Sequence, residues 1–374
     1  MEFGQERRRC RPRLAAVAVV ALLAPIVGAR ASAASAPGTM TTVAVFPVEN
    51  LSLAGVPSEE VRQFFVDRLG SAGVTVLAAD ALDAFMTRHR VRYAAGIDAP
   101  TAELLRKETG AQGVVIASIE YSSASDPPKI ALLARLVSIT EAPAVVWADD
   151  AGLSGDDAPG FFELGLVKDY QTLLARALAR VTGSLVAYLE TGLTEAAPKA
   201  ASKFRPKTAH RALALGPGTS HSIAVVPFFN LSDRRNAGQI LALLFVRHLS
   251  SRSRFRVVEP GATRRQFLDA RIIMDDGISI SDAMTVAEAT GADFVLGGRV
   301  LRYEDYEGPA GRTRVEFSTV LIEKKSGKVV WSSASDNEGS DGVRVFERGT
   351  SRTAHAMATR MVRLTVDGIV GGDR

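Results

Sequence analysis

Ile223–Ser232 reads IAVVPFFNLS, and Val43–Ser52, 180 positions earlier, reads VAVFPVENLS. Six of the ten positions are identical: Ala44 and Ala224, Val45 and Val225, Pro47 and Pro227, Asn50 and Asn230, Leu51 and Leu231, Ser52 and Ser232. A short apolar, β-branched run closed by Pro and then Asn-Leu-Ser reads as a buried strand leaving through a turn. Proline has no N–H to give a ladder, so each strand stops or meets an edge at Pro47 and Pro227. Asn50 and Asn230 are expected to bond their own backbone as turn formers, and this outweighs reading the two sequons as glycan acceptors.

The echo extends well beyond this strand. Phe65-Val66 and Leu69 answer Phe245-Val246 and Leu249 at 180; Thr109-Gly110-Ala111 answers Thr290-Gly291-Ala292 at 181; Val145-Val146-Trp147 answers Val329-Val330-Trp331 at 184. Phe162-Glu163 answers Phe346-Glu347, also at 184. Solenoid repeats recur every ~20–50 residues, so an offset this long means two copies of one domain. The expected organisation is a first domain at 40–191, a linker at 192–220 and a second domain at 221–370.

Ahead of the first copy, Arg7, Arg8, Arg9, Arg11 and Arg13 precede the apolar run Leu14–Ala29 and the small residues Ala31-Ser32-Ala33. That is the charged, apolar and A-x-A order of a secretory signal peptide, assigned to residues 1–33. Cys10, the only cysteine, stands before the apolar run, where it is no lipidation site. A mature chain without cysteine has no disulfide and no thiol chemistry, which suits a bacterial periplasm. The leader carries six Arg and two Glu, so the whole chain's net charge of +4 falls to zero on its removal. Nucleic-acid binding thereby loses its compositional support. Charge stays uneven: residues 34–191 are acidic (12 basic, 19 acidic), while 222–374 are mildly basic (22 and 19). Docking of the two domains on one another follows as one expectation, two independent solvated surfaces as the other.

Each copy reads β-α-β-α-α-β-β-β-α. Val43–Phe46, within the first strand at Thr42–Val48, and Val114–Ile119 are apolar on both faces, so helices are expected over them. Ser58-Glu59-Glu60 reads as a capped helix start and Gly110 as a helix-ending glycine. From Tyr170 to Leu189 apolar residues recur every three or four positions, the pattern of a long amphipathic helix. The fold class is α/β in the α+β sense: two tandem mixed sheets with packed helices. Thr191–Ser220, rich in Ala, Pro, Gly, Lys and Thr, reads as a plain linker.

The second copy carries a family resemblance. IAVVPFFNLS, Phe255–Glu259 (FRVVE), Thr290–Val300 (TGADFVLGGRV) and Ser326–Ser332 (SGKVVWS) together resemble the CsgG-like and TolB amino-terminal-domain superfamily. The resemblance implies a small α/β domain similar to the anticodon-binding fold, and a role in envelope assembly or secretion. It transfers no catalytic residue. Pore-forming members carry a lipid anchor and long barrel-forming hairpins, and Ser122–Lys129 and Arg302–Arg312 are too short and polar for spans of ~9–11 residues per strand.

No residue is assigned to catalysis, to a cofactor or to a metal. His89, His210, His221, His248 and His355 show no ligand spacing. Asp149-Asp150, Asp156-Asp157 and Asp275-Asp276 are expected in turns. Gly297-Gly298 follows a strand but precedes another strand, so it lacks the helix a phosphate cradle needs. Trp147 and Trp331 end matching strands and are candidate interaction positions, with core packing the stronger expectation. The leading functional expectation is a periplasmic, non-enzymatic adaptor or scaffold. Its partner is an envelope or outer-membrane protein; it binds no nucleic acid, spans no membrane after leader removal and is compatible with oligomerisation. The alternatives are a sensor of a small ligand (a cell-wall fragment or nucleotide) and a hydrolase using loop carboxylates.

Overall fold

In the computed structural model of the chain, the described residues are 1, 40–157, 165–194, 200–212, 219–305, 312–341 and 350–371. Apart from Met1, the stretch read as a leader, 1–33, with Cys10, and the Phe162-Glu163 and Phe346-Glu347 pairs lie outside them. The first half runs β1 (Thr42–Val45), β2 (Glu49–Asn50), α1 (Ser58–Ser71), β3 (Thr75–Val76), α2 (Ala79–Arg88), α3 (Ala99–Thr109), β4 (Gly113–Ser123), β5 (Lys129–Ser138), β6 (Ala144–Ser154) and α4 (Tyr170–Thr191). A short connecting strand, β7 (Thr208–Arg211), follows. The second half runs β8 (His221–Val225), β9 (Phe229–Asn230), α5 (Ala237–Ser250), β10 (Phe255–Val258), α6 (Pro260–Asp269), α7 (Ile280–Thr290), β11 (Phe294–Glu304), β12 (Arg314–Glu323), β13 (Lys328–Glu338) and α8 (Ala354–Val370).

The two halves share their registers. Val43 faces Val76 and Gly113; Ile223 faces Val257 and Phe294. The β4–β5 ladder shifts at Glu120 and the β11–β12 ladder at Leu301, 181 positions on. The β5–β6 ladder shifts at Val146 and the β12–β13 ladder at Val330, 184 on. Helix ends match as well. Asp98 and Ser279 cap α3 and α7, Asp169 and Thr353 cap α4 and α8, and Gly110 and Gly291 close α3 and α7 in the left-handed region. Helix α1 departs from expectation: it starts at Ser58 behind Pro57 with no side-chain cap.

Where two separate sheets were expected, a single sheet runs through both halves, in the order β3-β1-β4-β5-β6-β10-β8-β11-β12-β13-β7. The last strand of the first half pairs antiparallel with the first edge of the second: Val145 with Val257, Ala144 with Val258. Strand order is preserved across this joint while strand direction reverses. The second half is therefore turned over about an axis running across the strands. This places α5 and α8 on the face that carries α2 and α3, and one core cluster runs from Phe85 and Leu105 to Phe245 and Met361. The opposite face holds two smaller cores, under α1 and α4 in the first half and under α6 and α7 in the second. From Met40 onward the described residues lie in one compact unit.

The stretch read as a plain linker also contributes to the sheet. Its β7 pairs antiparallel with β13, Thr208 opposite Ala334 and Arg211 opposite Trp331. All four of its side chains are exposed, so main-chain hydrogen bonds hold it and its sequence carries no apolar signal. Among the described residues only α4 is long and apolar enough to cross a membrane, and its Leu174, Leu178, Val181 and Leu185 are buried against the sheet.

Candidate functional site at the seam

The seam between the halves collects buried charge. Arg135 lies mid-strand in β5 and Glu259 just after β10; they are 1% and 0% exposed. Their ion pair spans 3.1 Å from Arg135 Nη2, with Nε donating to the other Glu259 oxygen at 3.3 Å, and Nη2 also donates to the Ala95 carbonyl at 2.6 Å. Glu259 also accepts from the Ile97 backbone N–H at 3.1 Å. A carboxylate and a guanidinium at this depth are tolerable only because each satisfies the other. The chains touch here: a Cβ on Gly261 would lie 2.3 Å from the Ile97 nitrogen, and one on Gly96 2.7 Å from the Gly261 Cα. Both positions exclude any side chain.

A second cluster lies where α5 and α8 cross β6. Arg247 pairs with Asp149 and Asp150, each at 2.7 Å. His355 sits between Asp150, at 2.9 Å from its Nε2, and Glu120, in a short contact with its Nδ1. Burial alone would lower the His355 pKa, but the Glu120 carboxylate and the hydrogen bonds to Asp150 and Glu120 raise it to about 10. Burial would raise Asp150, and Arg247 with His355 hold it well below the usual carboxylate range instead. Glu120 is raised, since burial outweighs His355. His248, beside Arg247, is pushed well below its ordinary value by burial and that charge. Further pairs cross the seam at Arg265–Asp98 (3.9 Å) and Arg352–Asp156 (3.4 Å). Apart from Arg135–Glu259, these put a cation of the second half on a carboxylate of the first, as the charge asymmetry led us to expect for docked halves.

The two Asn-Leu-Ser turns meet at the same seam. Asn50 Oδ1 accepts from the Ser52 N–H (2.9 Å) and hydroxyl (2.7 Å), and its amide donates to the Ala54 carbonyl (2.8 Å). Asn230 does the same with Ser232 (3.1 and 2.7 Å) and the Arg234 carbonyl (2.8 Å). Arg234 then reaches across to the Ser52 carbonyl at 3.4 Å, and Asn236 to that of Leu51 at 3.3 Å. Pro47 leaves β1 for the first turn; Pro227 leaves β8 and lines a cleft of about 410 Å³ between α5 and α6.

That cleft is walled by apolar side chains of α5 and α6, with Tyr93, Gln239 and Arg264 as its polar groups. Gln239 donates to both oxygens of Glu49, at 2.9 and 3.0 Å. Burial raises the Glu49 pKa, and raises Tyr93 to about 12 with help from Glu49. Arg264 lies over the Tyr93 ring, 4.1 Å from its centroid.

The remaining sequence-flagged residues are dispersed. Trp147 is 1% exposed, with its N–H donating to Ser184 at 3.3 Å; Trp331 is 5% exposed and packs on Gly368 and under Arg211. Asp149 and Asp150, expected in a turn, lie inside β6 opposite Ala134 and Leu133. Arg247 and His355 neutralise them there, which the turn preference of Asp could not reveal. Asp276 does occupy a loop and pairs with Arg299 at 2.6 Å, remote in sequence from the seam carboxylates. Among the described residues no group of three or more His, Cys, Asp or Glu could hold a metal ion. Sequence reasoning missed Arg135, Glu259, Glu120 and His355. A signal existed: Glu120 and Arg135 interrupt otherwise apolar strands, and their counterparts in the other copy are Leu301 and Val320.

Residues 223–336, which run from β8 into β13, match the model of the family described as Peptidoglycan-synthase activator LpoB. The match covers less than half of the chain. No curated protein matches. Among solved structures, the PelC dodecamer from Paraburkholderia phytofirmans is 19% identical, with 45% of this chain and 97% of that one covered and a TM-score of 0.32. Lipoprotein GNA1162 from Neisseria meningitidis is 18% identical over 39% and 99%, with a TM-score of 0.29. The LpoB C-terminal domain from Escherichia coli is 15% identical over 33% and 87%, with a TM-score of 0.25.

Proposed function

We propose that this protein is a periplasmic, non-catalytic adaptor in cell-envelope assembly, acting on an envelope enzyme of the peptidoglycan-synthase class. The observation that carries this reading is the match of residues 223–336 to a family of peptidoglycan-synthase activators. The seam supports it. Its buried charges are spent on one another, and His355 with its two carboxylates is closed to solvent, so the cluster fixes geometry and offers no group to a substrate. The leader pattern supports export, and the absence of cysteine from the mature chain suits the same compartment.

Three further parts belong to the proposal. The duplication into 40–191 and 221–370, joined by 192–220, is supported by the matched ladder shifts and Asx turns. Kinship with the CsgG and TolB amino-terminal superfamily rests on the strand and turn motifs quoted above. Self-association is compatible with the sheet edge at β3, which among the described residues pairs with β1 alone.

The test is reconstitution of purified synthase with and without the mature protein, following glycan polymerisation and crosslinking. A rise in rate that saturates with added protein is expected. An unchanged rate, together with no co-sedimentation of the two proteins, contradicts the reading. The cleft at the seam favours a second reading, a sensor of a small ligand, because its volume falls in the range of about 300–1,000 Å³ typical of small-molecule sites.

A further inference from the structure

The cleft of about 410 Å³ does not end at Arg264. Tyr93, Arg264 and Leu268 are also walls of a second, adjoining hollow of about 360 Å³. The two differ in chemistry. The first is apolar, lined by residues such as Val225, Leu243, Val246 and Phe267. The second is cationic. Arg90, Arg92, Arg264 and Arg265 line it, and its one carboxylate, Asp98, is engaged in capping α3 and facing Arg265. Among the described residues Arg90, Arg92 and Arg264 have no carboxylate in salt-bridge range. Arg90 and Arg92 are exposed, and Leu268, at the junction, is 61% exposed.

An apolar chamber that adjoins, beside an exposed leucine, three guanidiniums without a salt-bridged carboxylate is complementary to one kind of molecule. We infer that the paired hollows bind a single-chain amphiphile with an anionic head, a phosphate or carboxylate borne on a hydrocarbon. The chain fills the space between α5 and α6, and the head rests among Arg90, Arg92 and Arg264. Charge sets the orientation. The wall of the apolar chamber carries Gln239, bonded to the Glu49 carboxyl, and no cation besides the shared Arg264, whereas four arginines line the second hollow. Guanidiniums suit the head because they offer planar, paired N–H donors to phosphate and carboxylate oxygens. The site joins Tyr93 and Arg90 of the first half to Arg264 of the second, so occupancy would also bridge the seam.

Isothermal titration of the mature protein with monomeric decyl phosphate, below its micelle concentration, tests this. Decyl maltoside, inorganic phosphate and phosphatidylglycerol vesicles serve as the other arms. Decyl phosphate is expected to bind one per chain, about tenfold or more tighter than either decyl maltoside or inorganic phosphate. The exposed pair R90Q/R92Q should weaken it about tenfold while leaving the melting temperature in place, and A242L, which narrows the chamber, should weaken it with the arginines intact. Equal affinity for decyl maltoside, undiminished binding by R90Q/R92Q, or recruitment to vesicles without uptake of the monomer would each overturn the inference.

Discussion

The edge of β6 and the edge of β13 occupy matching places in the two halves, yet they are closed in different ways. At β6 the next half docks: β10 pairs with Ala144 and Val145, and α5 brings Arg247 onto Asp149 and Asp150. At β13 the positions matching Ala144 and Val145 are Lys328 and Val329, both exposed, while those matching Asp149 and Asp150 are Ser333 and Ala334, covered by β7. A head-to-tail contact that repeats makes a ring or a fibre. Here the charges that lock the inner joint have no counterparts outside it. Arg135 corresponds to Val320, Glu259 to Ala78, Arg247 to Asp67 and His355 to Gln171. The different residues at these positions, and a strand contributed by the connection, leave one strong joint and one capped edge.

Breaking the inner joint should cost most. Glu259→Ala leaves the Arg135 guanidinium buried and uncompensated, for an expected loss of about 3–5 kcal/mol in urea unfolding. The double change Arg135→Met with Glu259→Leu should recover most of that loss, since an apolar pair of similar volume avoids the desolvation penalty.

The His355 cluster sharpens the comparison through pH. Its folded pKa, about 10, lies above the ordinary value of 6.5. Protonation therefore favours the folded state. The contribution is complete below about pH 6.5 and disappears as pH rises through about 10. Asp150 works in the opposite sense: its depressed pKa gives stability present above the unfolded value of 3.8, lost as pH falls below it. The stability difference between wild type and His355→Gln should be flat between about pH 5 and 6.5 and shrink steadily on the alkaline side. A difference independent of pH up to 10 would remove the charged histidine from the account.

A smaller loss is expected from Gly261→Ala. Its Cβ has no room against Ile97, so the seam must open locally, at about 1–3 kcal/mol by thermal unfolding. Smallest is the outer edge. Replacing each of Thr208–Arg211 by proline removes the main-chain N–H donors that hold β7 and should cost about 1 kcal/mol or less. The bared β13 should then show concentration-dependent association in sedimentation, as unpaired edges do.

Much of this architecture was legible in the sequence because the repeat itself is local. The Pro-Asn-Leu-Ser turn, the helix-closing Gly110 and the valine-rich strands each announce their conformation within a few residues. The joint was not legible, because it depends on residues about a hundred or more positions apart whose partners no periodicity indicates. Asp149-Asp150 looked like a turn because aspartate favours turns, and only α5 and α8 crossing above make it a strand. β7 was invisible for the opposite reason: backbone pairing holds it, with the exposed Arg211 over Trp331 as a side-chain contact that no apolar pattern announces. Position-by-position comparison of the copies would have exposed the joint, since a charge in one copy against Leu or Val in the other marks where the halves stopped being equivalent.

Each half contains one tryptophan, Trp147 in β6 and Trp331 in β13, and both are buried. Urea unfolding of W147F and W331F, each followed by fluorescence of the remaining indole and by far-ultraviolet circular dichroism, asks whether the halves unfold together. The shared sheet and its charged seam predict coincident fluorescence and dichroism transitions in both variants. Fluorescence that departs from the dichroism midpoint in either variant would show two separable domains and contradict the account.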